Sequence, residues 1–145
     1  MKPTLLYRIA SILFVLFAAG HTFGFLRFVP PTAEGIAVRD AMHNVHFAVH
    51  GSTYSYGGFY DGLGLSITVY LLFFAFLAWH LGQLAARHPA AIGALAWVFC
   101  AMQVVQLVLC LKYFGVPPVV FSTVIMLCLG IAAWRVRPAA ATVAT

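Results

Sequence analysis

The sequence predicts an all-α integral membrane protein, a bundle of four transmembrane helices with an amphipathic helix lying at the membrane interface in the first outer loop. Composition is the first reason, since 63% of the 145 residues are hydrophobic and only 8% are charged, against about 25% charged residues in a soluble domain. The second is the presence of four apolar runs, each near the length of about 20 residues with which a helix crosses a bilayer. The third is a helical repeat of apolar residues between the first two runs.

The four spans are predicted at residues 5–28, 59–81, 90–111 and 116–134, and together they form a single integral membrane domain of residues 1–145. Polar or helix-breaking residues bound each run. A cleavable signal peptide is the alternative for the first run, because Ala18-Ala19-Gly20 resembles a cleavage site. The apolar run continues beyond that point to Phe28, which favours a retained first span.

The basic residues predict the orientation of the chain in the membrane. With four spans, one side holds cations and no carboxylate, namely Lys2, Arg8, Arg87, Arg135 and Arg137. The other side mixes both signs, namely Arg27, Arg39 and Lys112 with Glu34, Asp40 and Asp61. Because cytoplasmic loops carry the excess of Lys and Arg, we expect a multi-pass protein of the cell inner membrane with both termini in the cytoplasm. The cations stand singly at the ends of apolar runs, which excludes a nucleic-acid partner.

The first outer loop, residues 29–58, contains the predicted interfacial helix, from Gly35 to His50. Its apolar stripe repeats with helical spacing at Val38, Met42, Val45 and Val49, and a polar stripe lies beside it at Arg39, His43, His46 and His50. Histidines three and four residues apart share a helix face and could ligate a transition metal or haem there. A solvated polar face is the alternative.

Aromatic and acidic residues follow where the chain re-enters the membrane. Tyr54, Tyr56 and Tyr60 fit an aromatic belt at the interface. Asp61 should lie at the mouth of the second span, where it either caps the helix N-terminus or pairs with a histidine or with Arg27.

Polar side chains recur at one depth in all four spans, roughly 8 to 12 Å below the outer ends. They are His21, Thr22, Ser66, Gln103, Gln106, Ser122 and Thr123. Polar groups in hydrocarbon must be paired or reach water. The layer therefore predicts either an interhelical hydrogen-bond network or a cavity that opens to the outer side, the periplasm in a bacterium. Gly20-x-x-x-Gly24 and Gly58-x-x-x-Gly62 would permit close helix contact.

The first half of the chain resembles a group of small, largely uncharacterised bacterial integral membrane proteins with four predicted helices. The resemblance is carried by His21-Thr22-x-Gly24, His46-Phe47-x-x-x-Gly51-Ser52 and Ser55-Tyr56-x-x-Phe59-Tyr60-x-Gly62-x-Gly64-Leu65. It implies the four-helix fold and draws attention to His21, His46, Tyr56 and Tyr60. It implies no reaction.

Four functional hypotheses follow. The leading one is a binding protein for a small apolar or amphipathic ligand, held in an outer-half pocket by His21, Tyr56, Tyr60, Ser66, Gln103, Gln106 and Ser122. The second is an enzyme acting on a lipid or isoprenoid, with His21, His46 and Asp61 in general acid/base roles.

The third hypothesis is metal or haem ligation by His43, His46 and His50; otherwise we expect no cofactor. The fourth is a structural or accessory subunit of a larger complex. Membrane lipid is an expected partner in every case, and a homo-oligomer is compatible with the glycine motifs.

Overall fold

The computed structural model describes residues 1–136; Arg137 and the Ala- and Thr-rich tail from Pro138 to Thr145 lie outside the described residues. The elements in chain order are α1 (Pro3–Arg27), α2 (Ala33–Asn44), β1 (His46–Val49), β2 (Ser52–Ser55), α3 (Tyr56–Arg87), α4 (Gly93–Tyr113) and α5 (Val116–Arg135). A 3-10 turn, Pro89–Ile92, leads into α4.

The predicted fold class is confirmed. α1, α3, α5 and the segment Pro89–Tyr113 are each long and apolar enough to cross a membrane, with mean hydropathy between 2.0 and 2.2. α3 is longer than its predicted span, since its 32 residues extend about 48 Å and a hydrocarbon core is only about 30 Å thick. α3 is therefore longer than an untilted crossing of the hydrocarbon requires.

The described chain divides into two compact units. The first unit contains residues 1–17 and 71–136, that is, the beginning of α1, the end of α3, and all of α4 and α5. Its core is aromatic and aliphatic: Phe14 stacks on Phe99 with ring centroids 5.8 Å apart, and Ile125 and Leu129 are fully buried. A buried hydroxyl joins two of its helices, since Ser11 Oγ donates to the Ala75 carbonyl over 2.7 Å.

The second unit contains residues 18–70, that is, the end of α1, α2, the β1–β2 hairpin and the beginning of α3. α2 begins after Thr32, whose side chain accepts a hydrogen bond from the Gly35 amide, the usual N-cap arrangement. The interfacial helix was expected to reach His50, but α2 ends at Asn44. His46 to Ser55 instead form an antiparallel hairpin.

The turn of the hairpin explains this difference. His50 and Gly51 both have positive φ, 48° and 82°, which is the backbone of a two-residue hairpin loop. Such a loop reverses the chain, so β1 cannot continue the helix. The prediction of one continuous helix through His50 was therefore wrong, and His43, His46 and His50 do not share a helix face.

We expect Gly51→Ala to destabilise the hairpin, because a Cβ at φ 82° costs about 1 kcal/mol. His50→Asn is the matched control, since it creates the Asn-Gly pair that this loop favours. Amide hydrogen exchange of β1 and β2 should become about fivefold faster in G51A and no faster in H50N. Equal protection in the two variants would contradict the assigned turn.

Candidate functional site

The polar centre of the second unit is a bonded pair, His43 with Asp61. His43 lies in the last turn of α2 and Asp61 in the second turn of α3, and His43 Nε2 is 3.1 Å from Asp61 Oδ2. On its other side, His43 Nδ1 lies 2.9 Å from the Arg39 carbonyl. Since both partners are hydrogen-bond acceptors, only the doubly protonated imidazolium donates to both at once. The carbonyl of Arg39, and then the Asp61 carboxylate, raise the pKa of His43 above its ordinary value.

Gly57 permits this pairing. A Cβ at Gly57 would lie 2.6 Å from Cγ of His43, a distance too short for any side chain. The imidazole therefore rests directly on the backbone of the first turn of α3. The pairing of Gly57 with a histidine has no signal in the local sequence.

An apolar groove lies along α2, the helix that bears His43. It is lined by Val38, Ala41, Met42, Val45 and Tyr56 and has a volume of about 280 Å³. Three of the four predicted apolar stripe residues line it, whereas the fourth, Val49, lies on β1. No residue of α2 is buried, so the apolar face of this helix is open to lipid or ligand.

The hairpin supports the Tyr56 wall of the groove. Phe47 of β1 lies against the Tyr56 ring with centroids 4.8 Å apart, and against Tyr54 at 6.1 Å. The amide of Tyr56 donates to the Val45 carbonyl over 3.4 Å. The end of α2, the hairpin and the start of α3 thus contact one another around Tyr56.

His21 has a different partner from those that the enzyme hypothesis requires. Its Nε2 lies 2.9 Å from the Gly64 carbonyl oxygen, to which it donates. Its ring stacks on Phe25 at 5.8 Å, and Phe25 lies 5.6 Å from Tyr60. Gly64 makes room for Phe25, whose ring would collide with a Cβ there. His21 is thus placed in an aromatic stack, and Asp61 is bonded to His43.

The other predicted polar residues are also hydrogen-bonded. In the second unit, Ser66 Oγ donates to the Gly62 carbonyl over 2.8 Å. In the first unit, Gln103 Nε2 donates to the Ser122 carbonyl over 3.4 Å, and Gln106 Nε2 to Cys110 Sγ over 3.5 Å. Ser122 Oγ lies 3.4 Å from Cys110 Sγ. The contacts of Gln103 and Ser122 join α4 to α5, whereas those of Ser66 and Gln106 are made within one helix.

The structure does not bring together the three histidines of the predicted metal site. His43 is on α2, His46 opens β1 with its Nδ1 2.8 Å from the Asn44 carbonyl, and His50 is in the hairpin turn. Within residues 1–136, no three His, Cys, Asp or Glu side chains form a group that could hold a metal ion. The hypothesis of a single chelating helix face is therefore wrong, because the helix ends before two of its three ligands.

Comparison with protein-family models, curated proteins and solved structures gave no match to this chain. Three observations matter most: the four apolar helices, the open groove on α2 and the bonded pair His43–Asp61.

We expect the His43–Asp61 pair to depend on pH. NMR titration should give His43 a pKa above 6.5, and Asp61→Asn should lower it by removing the carboxylate partner. Since the folded-state pKa is the raised one, the stabilisation from this pair is fully present below pH 6.5 and is lost as the pH rises through the folded value. A His43 pKa unchanged by D61N would contradict the pair.

The second expected outcome concerns Gly57. Gly57→Ala should displace the imidazole and free the end of α2, because its Cβ would overlap the ring. Gly62→Ala is the control, since a Cβ at Gly62 meets no described atom within 4 Å. Hydrogen exchange of residues 41–45 should rise in G57A and remain unchanged in G62A. A similar response in both variants would show that His43 does not pack on Gly57.

Proposed function

We propose that this chain is a multi-pass membrane protein that binds a small amphipathic molecule at the membrane surface. The apolar part of the ligand occupies the groove on α2, and its polar part meets the His43–Asp61 pair. The observation that carries the proposal is that residues of the groove and residues of the pair's site are adjacent in the chain. His43 follows the groove residue Met42, and Gly57, on which the imidazole rests, follows the groove residue Tyr56.

The chemistry of the groove supports an amphipathic ligand. All five lining residues present apolar surface, and burial of each ligand CH₂ contributes about 0.8 kcal/mol. The volume of about 280 Å³ is at the low end for ligand sites, so the groove suits a short acyl or isoprenoid segment. The side chains of His43 and Asp61 are 47% and 49% exposed and can exchange their mutual contact for one with a polar head group.

This proposal changes the predicted set of binding residues. Tyr56 remains, as a wall of the groove. Tyr60 and His21 are assigned to the aromatic stack with Phe25, and Ser66, Gln103, Gln106 and Ser122 to hydrogen bonds that join or stabilise helices. Val38, Ala41, Met42 and Val45 take the place of these polar residues.

We also propose the inner-membrane location and the cytoplasmic termini, with the groove on the periplasmic side. The charges of the described helices support this orientation. Lys2 precedes α1, Arg8 lies in its second turn, Arg87 ends α3 and Arg135 ends α5, and an excess of cations of this kind is typical of the cytoplasmic ends of spans. Membership of the group of small bacterial four-helix membrane proteins is part of the same proposal.

A photoactivatable long-chain fatty acid tests the binding site. Irradiation of the purified full chain in nanodiscs, followed by peptide mass spectrometry, should label the peptide that contains residues 38–45 and the one that contains Tyr56. Ala41→Trp should reduce this labelling about tenfold, because an indole fills the groove. Ala33→Trp is the size-matched control at the start of α2, outside the lining set.

Two results would refute the proposal. One is labelling spread evenly over the lipid-facing residues of α4 and α5, which would indicate unspecific contact with dissolved probe. The other is an equal effect of A41W and A33W, which would indicate that the groove itself is not occupied.

A further inference from the structure

The charges of the chain are divided unevenly between its two units. The three acidic residues of the chain, Glu34, Asp40 and Asp61, all belong to residues 18–70. Residues 1–17 and 71–136 contain only cations, namely Lys2, Arg8, Arg87, Lys112 and Arg135. The first unit therefore has a positive field with no carboxylate of its own to neutralise it, and it attracts anions.

One of these cations, Arg8, lies over an aromatic ring. The guanidinium carbon of Arg8 lies 5.3 Å from the ring centroid of Trp79, and both side chains are exposed. A guanidinium that stacks on an aromatic face keeps its N–H groups at its edge, where they can donate in parallel to two oxygens of one phosphate. The contact with the Trp79 ring occupies none of the N–H donors of Arg8.

The helices on which these two residues lie are firmly joined on both sides of the pair. The bond from Ser11 Oγ to the Ala75 carbonyl is 2.7 Å long, and Ala75 lies one turn before Trp79. On the other side, a Cβ at Gly82 would be 3.2 Å from Tyr7 Cβ, so α1 and α3 are in close contact there. The positions of Arg8 and Trp79 are fixed by this packing.

The surface beside the pair is apolar on the membrane side. Ile12, one turn further along α1, is 57% exposed, and Phe76, one turn before Trp79, is 64% exposed. Both lie deeper in the hydrocarbon than the pair, because α1 enters the membrane from this end and α3 leaves it here. An acyl chain could lie along them while its phosphate meets Arg8.

We propose that Arg8 and Trp79 bind the phosphate of an anionic phospholipid. The positive field of the first unit favours a lipid with net negative charge, and the apolar surface below the pair favours a lipid over free phosphate. Lys2 and Arg135 add to the attraction at the same end of the bundle, since Arg135 Nη1 donates to the Met1 carbonyl over 2.9 Å. This site shares no residue with the groove on α2, and neither proposal depends on the other.

Native mass spectrometry of the full chain, released from detergent with defined lipids, tests this site. We expect retention of phosphatidylglycerol over phosphatidylcholine by about fivefold. Arg8→Gln should remove the preference, because it removes the charge. Arg8→Lys should keep the preference but lower the retention of both lipids, because a lysine offers a single point charge and no planar pair of donors. Arg87→Gln and Lys112→Gln are the controls and should match the wild type in both respects.

Thermal unfolding of each variant without added lipid shows whether it is folded, and R8K keeps the charge if R8Q does not fold. Phosphatidylglycerol should raise the unfolding temperature of the wild type and of R87Q more than that of R8K. Equal retention of the two lipids by the wild type, or retention of phosphatidylglycerol by R8K as strong as by the wild type, would overturn the proposal. Displacement of the lipid by millimolar inorganic phosphate would show instead a site for the free anion.

Discussion

A peptide group in hydrocarbon must have a hydrogen-bond partner within the protein, and the rest of this structure depends on that constraint. An unpaired backbone group costs several kcal/mol there, so a chain crosses the bilayer as a helix. The polar side chains of the spans follow the same rule. Thr22, Ser66 and Thr123 each donate to the carbonyl four residues earlier, over 2.8 Å. Such side chains have a hydrogen-bond partner within their own helix and need no cavity.

The constraint also explains what the sequence could predict. Spans follow from hydropathy alone, and the four predicted spans overlap the four observed helices. The end of α2 could not be predicted from hydropathy, because His46 to His50 fits both a helical repeat and the alternation of a strand. The deciding feature was the two-residue turn at His50 and Gly51, with φ of 48° and 82°. A turn of this kind outweighs a weak amphipathic pattern of a few residues.

The candidate site was predictable only in part, for a related reason. A pairing of Asp61 with a histidine or with Arg27 was one of the alternatives, but the sequence could not select His43. That choice depends on Gly57, which is 14 positions from His43 in the sequence and directly below its ring in space.

The glycines at which helices come close could not be predicted from the sequence either. The spacing motifs pointed to Gly20, Gly24, Gly58 and Gly62. A Cβ at Gly58 would meet only Ser55, and a Cβ at the other three would meet no described atom of another element within 4 Å. The close approaches between helices are instead at Gly57, Gly64 and Gly82, where the neighbours are His43, Phe25 and Tyr7.

Both His43 and His21 are held in place by hydrogen bonds. When His43 carries two protons, its N–H groups donate to the Arg39 carbonyl and to Asp61. His21 uses Nε2 to donate to the Gly64 carbonyl, which fixes its orientation within an aromatic stack. The His43–Asp61 pair can still offer both a donor and an acceptor to a polar head group, because half of each side chain is exposed. An apolar groove on the same helix as one member of this pair therefore offers what an amphipathic ligand requires.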